Sequence, residues 1–166
     1  SKSIDAYDLD YQRFLDSAKE KYKKNFCLLV RLHPNISKIA SNIIYSESVI
    51  NATFYPNVDD LIIASKFVIS DYSSVLFKAM RFNVYSLIYA SDYIRYFSEE
   101  RKNYFDIKTL PSPFASNNDD FIKNFLSFNE EEYENKVKDF NEMAGYYNDE
   151  SSLTALVDRI RKICGK

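Results

Sequence analysis

Two short runs hold most of the side chains able to do chemistry. The first, Asp71-Tyr72-Ser73-Ser74, joins the apolar run Phe67-Val68-Ile69 to a second apolar set, Val75, Leu76, Ala79 and Met80. Phe67 to Ile69 are β-formers, too few and too apolar for a surface element, and suit a short strand buried on both faces of a parallel sheet. The second set recurs at helical spacing, and Ser73 or Ser74 stands where a helix is capped. Such a corner presents unpaired backbone N–H groups and hydroxyls at a helix N-terminus, an arrangement that binds phosphate and other anions. In an open α/β sheet, ligands sit beyond the carboxyl ends of strands, where Asp71 to Ser74 fall. Two readings stay open from these residues alone. The corner is an anion site, or Ser73 only caps the helix while Asp71 favours its dipole.

The second run is Arg31-Leu32-His33-Pro34, which follows the apolar stretch Phe26-Cys27-Leu28-Leu29-Val30. Pro34 cannot extend a ladder, so it ends this strand and sets His33 at the carboxyl edge, on the same side as Asp71 to Ser74. There the imidazole is either a satisfied polar residue at a loop edge or a group facing a ligand. A further cation, Arg101, lies in the long segment Ala90 to Pro113, which has no clean period. Its planar guanidinium suits two phosphate oxygens at once, or else it is a solvated surface arginine.

The elements that position these groups alternate. Ala6 to Lys24 carries the helical stripe Tyr7, Tyr11, Phe14, Leu15, Ala18 and Tyr22, the pattern of an amphipathic helix. Asp8 and Asp10 would point about 200° apart on that helix, which is poor geometry for a shared metal. Phe26 to Leu32 reads as a central parallel strand and Val49 to Phe54 as another. Asn57 is placed to cap a short helix with Asp59 and Asp60 in its first turn. After the Asp71 corner and its helix, Val84 to Tyr89 is a further strand. Strand, helix, strand, helix, strand predicts a doubly wound parallel sheet. Ala90 to Pro113 reads as a functional loop with a helical turn inside it. From about residue 117 to 164 the chain is helical, with starts at Asn118 or Ser116, at Glu130, and at Ser151 or Ser152. Arg159, Arg161 and Lys162 complement the last helix's dipole.

The series Arg31-Leu-His33-Pro34, Tyr55-Pro-Asn-Val-Asp-Asp-Leu61, Ser65-Lys-Phe-Val-Ile-Ser-Asp71-Tyr-Ser73-Ser74 and Arg101-Lys-Asn-Tyr104-Phe-Asp106 resembles the CDP-glycerol glycerophosphotransferase family of teichoic-acid polymerases and primases. The similarity runs from about Phe26 to Pro113. The resemblance implies a GT-B transferase whose C-terminal, Rossmann-like half holds the nucleotide-linked donor, and the chain is similar to that half alone. It implies a catalytic role for His33, donating a hydrogen bond to a pyrophosphate oxygen. It implies donor contacts from Arg31, Asp71, Ser73, Ser74 and Arg101, with Tyr104 and Asp106 shaping the loop. It also implies partners: a membrane-linked polymer acceptor and an N-terminal domain of the same enzyme, at the inner face of the cell membrane. The donor, CDP-glycerol or a similar activated compound, is a substrate, so no resident cofactor is expected. The chain departs from the family pattern at Lys78 and Asn57, where carboxylates are usual, and at Lys102 and Ser112, where glycines are usual. A lysine in place of a carboxylate reverses the charge offered to the donor alcohol. That keeps a nucleotide-sugar GT-B transferase, and a non-catalytic α/β binding module, as alternatives.

Composition bounds these readings. A chain of 166 residues, 46% hydrophobic and 28% charged, supports one globular domain, here residues 1–166 as the donor-binding fragment of a longer enzyme. The formal net charge of −2 gives no general affinity for nucleic acid. With two glycines in the whole chain, a glycine-rich phosphate loop cannot be built. A phosphate must therefore meet hydroxyls, cations or a helix terminus. Cys27 and Cys164 have no near neighbour and suit plain packing in a reducing compartment. No stretch approaches the roughly 18 apolar residues of a membrane span, so a cytoplasmic location is expected. One histidine and no cysteine pair at ligand spacing offer no metal site.

Overall fold

A computed structural model of the chain describes residues 8–32, 43–99, 106–146 and 151–165. The strands are β1 Leu28–Val30, β2 Val49–Asn51, β3 Phe67–Ser70, β4 Tyr85–Tyr89 and β5 Phe114–Ala115. The helices are α1 Tyr11–Tyr22, α2 Val58–Ile63, α3 Val75–Arg81, α4 Tyr93–Glu99, α5 Asn118–Leu126, α6 Glu130–Ala144 and α7 Ser151–Ile163. Every strand pair is parallel, and the ladders fall into two groups, β1-β2 and β3-β4-β5. The predicted α/β architecture of parallel strands flanked by helices is the one observed, though no continuous ladder joins the two groups among the described residues.

Both early strands are shorter than predicted, because side chains take over the backbone groups at their ends. Ala52 N–H still bonds the Val30 carbonyl (2.8 Å), but Thr53 N–H turns to Asn51 Oδ1 (3.0 Å) and Leu32 N–H to Thr53 Oγ1 (3.3 Å). Such local bonds compete with the ladder and end it. β5 lies just past the segment read as a loop. Proline lacks the N–H a ladder needs, yet the Pro113 carbonyl accepts from Ile88 N–H at 2.8 Å and the Ala115 carbonyl from Ala90 N–H at 2.9 Å. Two residues beside prolines carry too little pattern to be read as a strand. The described part of the long segment before them holds α4 and a 3-10 turn, Ile107–Thr109, whose first amides are organised by Asp106.

Helix boundaries follow asparagine and aspartate caps. Asp10, rather than lying on α1, caps it by accepting from Arg13 N–H at 3.0 Å. Asp8 precedes the helix and accepts from Tyr89 OH at 2.8 Å. The predicted start at Ala6 is therefore too early, and the two carboxylates are occupied separately. Asn57 caps α2 as expected, accepting from Asp59 N–H at 3.0 Å. α5 is capped by Asn117 rather than Asn118 or Ser116, and α6 by Asn129 (2.9 Å each). α6 ends at Gly145, whose φ of 66° is the left-handed conformation glycine accepts without strain.

The core lies on both faces of β4. Leu87 and Tyr89 pack with Phe14 and Ala18 of α1 and with Phe121, Ile122 and Phe125 of α5. Ile88 packs on the other face with Leu76 of α3 and Ile107. Phe14 meets Phe125 edge-on at a centroid distance of 4.9 Å, a favoured aromatic geometry. Lys21, at the end of α1, donates to the carbonyls of Phe125 (2.9 Å), Leu126 (2.8 Å) and Phe128 (2.7 Å), closing the C-terminus of α5. α7 buries none of its side chains against the described residues, and Leu153, Leu156, Ile160 and Ile163 are exposed. No described helix is long and apolar enough to cross a membrane.

Two polar clusters generate predictions. Ser86, Ser112 and Tyr133 are buried together, with Ser86 Oγ 2.6 Å from Ser112 Oγ and 2.7 Å from Tyr133 OH, while Ser86 N–H donates to Tyr133 OH at 3.2 Å. Tyr133→Phe strands a buried donor, so chemical denaturation should show a loss of about 1–3 kcal/mol. Glu130 accepts from Tyr22 OH (3.1 Å) and Tyr85 OH (3.0 Å) and pairs with Lys66 Nζ at 2.7 Å. The Lys66 contact holds its carboxyl below the ordinary value of 4.5, against an opposing effect of burial. A folded pKa below the unfolded one gives stability that is full above the unfolded value and lost as pH falls through the folded value. Thermal midpoints measured from pH 6 down to pH 3 should decline, and Glu130→Gln should flatten that decline.

Candidate functional site

The Asp71 corner forms where β3 gives way to α3. β3 is the outer strand of its ladder and its residues are half-buried rather than fully enclosed, a correction to the predicted buried strand. Its backbone pairs with β4 in the register Phe67↔Tyr85 to Ser70↔Ile88, so Asp71 is the first residue past the ladder. α3 is anchored from the inside by Leu76, Ala79 and Met80, all buried. Ser73 and Ser74 are left on the outside, both exposed.

The capping at this corner divides the two serines. Ser73 Oγ accepts from Val75 N–H at 3.3 Å, a local turn bond. Ser74 occupies the cap position with helical backbone angles, φ −61° and ψ −7°, and its side chain makes no cap bond. The Leu76 and Phe77 amides close back on the carbonyls of Ser73 (3.3 Å) and Ser74 (3.1 Å). The Ser74 hydroxyl is thus not consumed by the helix. α3 has seven residues, so its dipole is short and its backbone N–H groups alone would attract an anion only weakly.

Asp71 is half-buried and its charge bears on the adjacent phenol. Tyr72 OH donates to Asp92 Oδ1 at 2.7 Å, and the ring stacks on Tyr96 of α4 at 3.9 Å with 12° between the planes. Burial first, then the Asp92 bond and the charges of Asp92 and Asp71, pushes this phenol well above its ordinary range. It stays protonated and a donor. Sequence reasoning did not find this contact, since nothing in the spacing relates residues twenty apart across a strand and a helix.

The remaining predicted residues fall elsewhere. Arg31 follows β1, and its Nη1 donates to the carbonyls of Ala52 (3.4 Å) and Tyr55, tying the end of β1 to the turn before α2. His33 and Arg101, with Tyr104, lie outside the described residues. Leu32, which leads into His33, is buried. Lys78, the position of reversed charge, faces α2 and binds Asp59 Oδ1 through Nζ at 2.6 Å. Among the described residues, no three His, Cys, Asp or Glu side chains gather as a metal cluster.

Because the Lys78 and Asp59 side chains are 49% and 37% exposed, their pairing should be weak. A double-mutant cycle with Lys78→Ala and Asp59→Ala should give a coupling of about 0.2–1 kcal/mol that shrinks in high salt. A Lys78→Asp change, which sets two carboxylates together, should lower the melting temperature more than Lys78→Ala does.

Comparison with known proteins places the fold. The profile described as CDP-Glycerol:Poly(glycerophosphate) glycerophosphotransferase matches residues 2–162. A structure of the wall teichoic acid polymerase TagF superposes with a TM-score of 0.63 at 22% identity, covering 98% of this chain and 41% of that one. A histidine variant of TagF soaked with CDPG gives a TM-score of 0.61 at 21% identity, over 95% of this chain and 41% of that one. No curated protein matches. The chain spans about two fifths of the length of these TagF structures, and the likeness establishes the parallel α/β fold. With the profile running through nearly every element from α1 to α7, this chain belongs to the CDP-glycerol:poly(glycerophosphate) glycerophosphotransferase family.

Proposed function

We propose that this domain holds the nucleotide-activated donor of a glycerophosphotransferase, CDP-glycerol or a related polyol compound, for transfer of the polyol phosphate to a teichoic-acid-type polymer. The observation that carries the reading is the Asp71-Tyr72-Ser73-Ser74 corner, at the carboxyl end of β3, with the Ser74 hydroxyl unspent on the helix cap. Ser73 and Ser74 offer hydroxyls to the donor's phosphate oxygens, and Asp71 contacts the donor from the same corner. His33 and Arg101 supply a hydrogen bond and a positive charge to the pyrophosphate, roles that rest on the family pattern. Arg31 contributes by tying the end of β1 to the turn before α2.

In the transfer, an acceptor hydroxyl oxygen forms a bond to the donor's β-phosphorus while the bond from that phosphorus to the bridging oxygen breaks. CMP leaves with the bonding electrons, and the acceptor's proton passes to a base. The resemblance implies a further catalytic histidine in an N-terminal domain, so the domain alone should bind donor without turning it over. Charge stabilisation on the departing phosphate is where His33, Ser73, Ser74 and Arg101 act. No resident cofactor is required, although a divalent ion can accompany the pyrophosphate. The acceptor is a membrane-linked polymer, which sets the enzyme at the cytoplasmic face of the membrane.

The donor alcohol turns on Lys78. Its reversed charge argues against a simple copy of the family's glycerol contact, but its ammonium is engaged by Asp59, so the net change offered to a ligand is smaller than the substitution suggests. Calorimetric titration with CDP-glycerol, CDP, CMP and UDP tests the reading. Cytidine compounds should bind, and Ser74→Ala and His33→Ala should each weaken binding by about tenfold or more, as expected for hydrogen bonds to a charged group. Preference for UDP would shift the assignment to a nucleotide-sugar transferase. Absence of binding by a folded protein at millimolar nucleotide would favour a non-catalytic module.

A further inference from the structure

The corner that carries Ser73 and Ser74 is held from outside its own strand and helix. Tyr72 sits between Asp71 and Ser73, and two independent contacts restrain it. Its hydroxyl donates to Asp92 Oδ1 at 2.7 Å, and its ring lies almost parallel to that of Tyr96 at 3.9 Å. The Asp92 side chain is 13% exposed, and its other oxygen lies 3.5 Å from Arg95 Nη2. The carboxylate is thus held between a phenol and a guanidinium rather than being free to rotate. Asp92 precedes α4 directly, and Tyr96 N–H closes back on the Asp92 carbonyl at 2.9 Å, so both anchors of Tyr72 belong to one helical turn.

We infer that Tyr72 and Asp92 are positioning residues for the donor, fixing the direction in which the chain leaves β3 and so the presentation of the Ser73 and Ser74 hydroxyls. The role of the hydroxyls rests on the donor-binding reading above, whereas the clamp rests on geometry. Its physical basis is preorganisation. Asp71 to Ser74 belong to no ladder, and the Ser74 side chain is not tied to the helix. A corner that ordered itself only when a phosphate arrived would spend binding energy on that ordering. Restraining the intervening tyrosine at both ring and hydroxyl removes this cost in advance. A phenol is protonated at neutral pH already at its ordinary value of 10.0, and burial with the Asp92 bond raises it further, so the bond to Asp92 persists there.

The clamp can be read without any ligand, because the Leu76 and Phe77 amides bond the carbonyls of Ser73 and Ser74 themselves. Amide hydrogen exchange is measured on the chain carrying Tyr72→Phe, Asp92→Ala or Asp92→Asn. The buried Ile88 amide, bonded to the Pro113 carbonyl, serves as the reference for global opening. Leu76 and Phe77 should lose about tenfold in protection in Tyr72→Phe and Asp92→Ala with Ile88 unchanged, and Asp92→Asn, which keeps an acceptor oxygen, should recover most of it. Unchanged protection at Leu76 and Phe77, or an equal loss at all three amides, overturns the clamp. CDP-glycerol titration then reads the positioning role, with about tenfold weaker binding expected in Tyr72→Phe. Equal affinity in wild type and Tyr72→Phe overturns that role. A wild type that binds no nucleotide, with Leu76 and Phe77 deprotected as above, overturns the donor reading and leaves the clamp supported.

Discussion

The ring of Phe67 is where the candidate site is tied to the rest of the molecule. Phe67 opens β3, and its centroid lies 5.4 Å from that of Phe125, 5.6 Å from those of Phe128 and Tyr85, and 5.8 Å from that of Tyr22. These rings come from α1, from β4 and from the end of α5 with the turn that follows it, so three regions distant in the chain meet at the amino end of one strand. β3 makes only four paired positions with β4 and is an outer strand of its ladder. A slip of one residue would exchange its two faces, and the ring contacts of Phe67, with Val68 and Ile69 packed on separate core clusters, oppose it. The anchor at Phe67 therefore fixes where Asp71 emerges at the other end.

Around that anchor the polar groups are engaged rather than left spare. Lys66 lies over the rings of Tyr22 (4.8 Å) and Tyr85 (5.1 Å) while pairing with Glu130, which binds both tyrosine hydroxyls. Lys21 closes α5, Asp8 and Asp10 hold Tyr89 and α1, and Arg31 braces the turn before α2. Against this pattern the Ser74 hydroxyl, at the opposite end of β3 from Lys66, stands out as a polar group at a helix start that the helix does not use. A fold with only two glycines cannot build a glycine-rich loop around a phosphate, which leaves hydroxyls, cations and helix termini as the means.

The Lys78 position shows how a family pattern and a particular fold can diverge. A lysine replacing a carboxylate would alter any ligand it faced. Here it spans from α3 to the acidic first turn of α2, where Asp59 accepts it. The exchange of charge has become an inter-helix contact on the surface, of small energetic weight. The carboxyl end of β3 is left to Asp71, Ser73 and Ser74.

Much of this was legible in the chain. The apolar runs at Leu28, Val49, Phe67 and Tyr85 mark four of the five strands among the described residues, because parallel strands covered by helices need continuous apolar side chains. The cap at Asn57 and the corner at Asp71 to Ser74 follow from local chemistry that acts over three or four residues. The motif order then pointed to the family that the profile match establishes. What only the tertiary structure decided depends on residues far apart in sequence. The two-residue β5 exists because β4 offers it a partner, and Asp8 and Asp10 leave the helix because Tyr89 and the α1 cap claim them. Arg31 turns to the Ala52 and Tyr55 carbonyls, and Tyr72 finds Asp92 and Tyr96. Local periodicity carries no information about such pairings, because the free energy that selects them comes from burial and hydrogen bonding across the assembled layers.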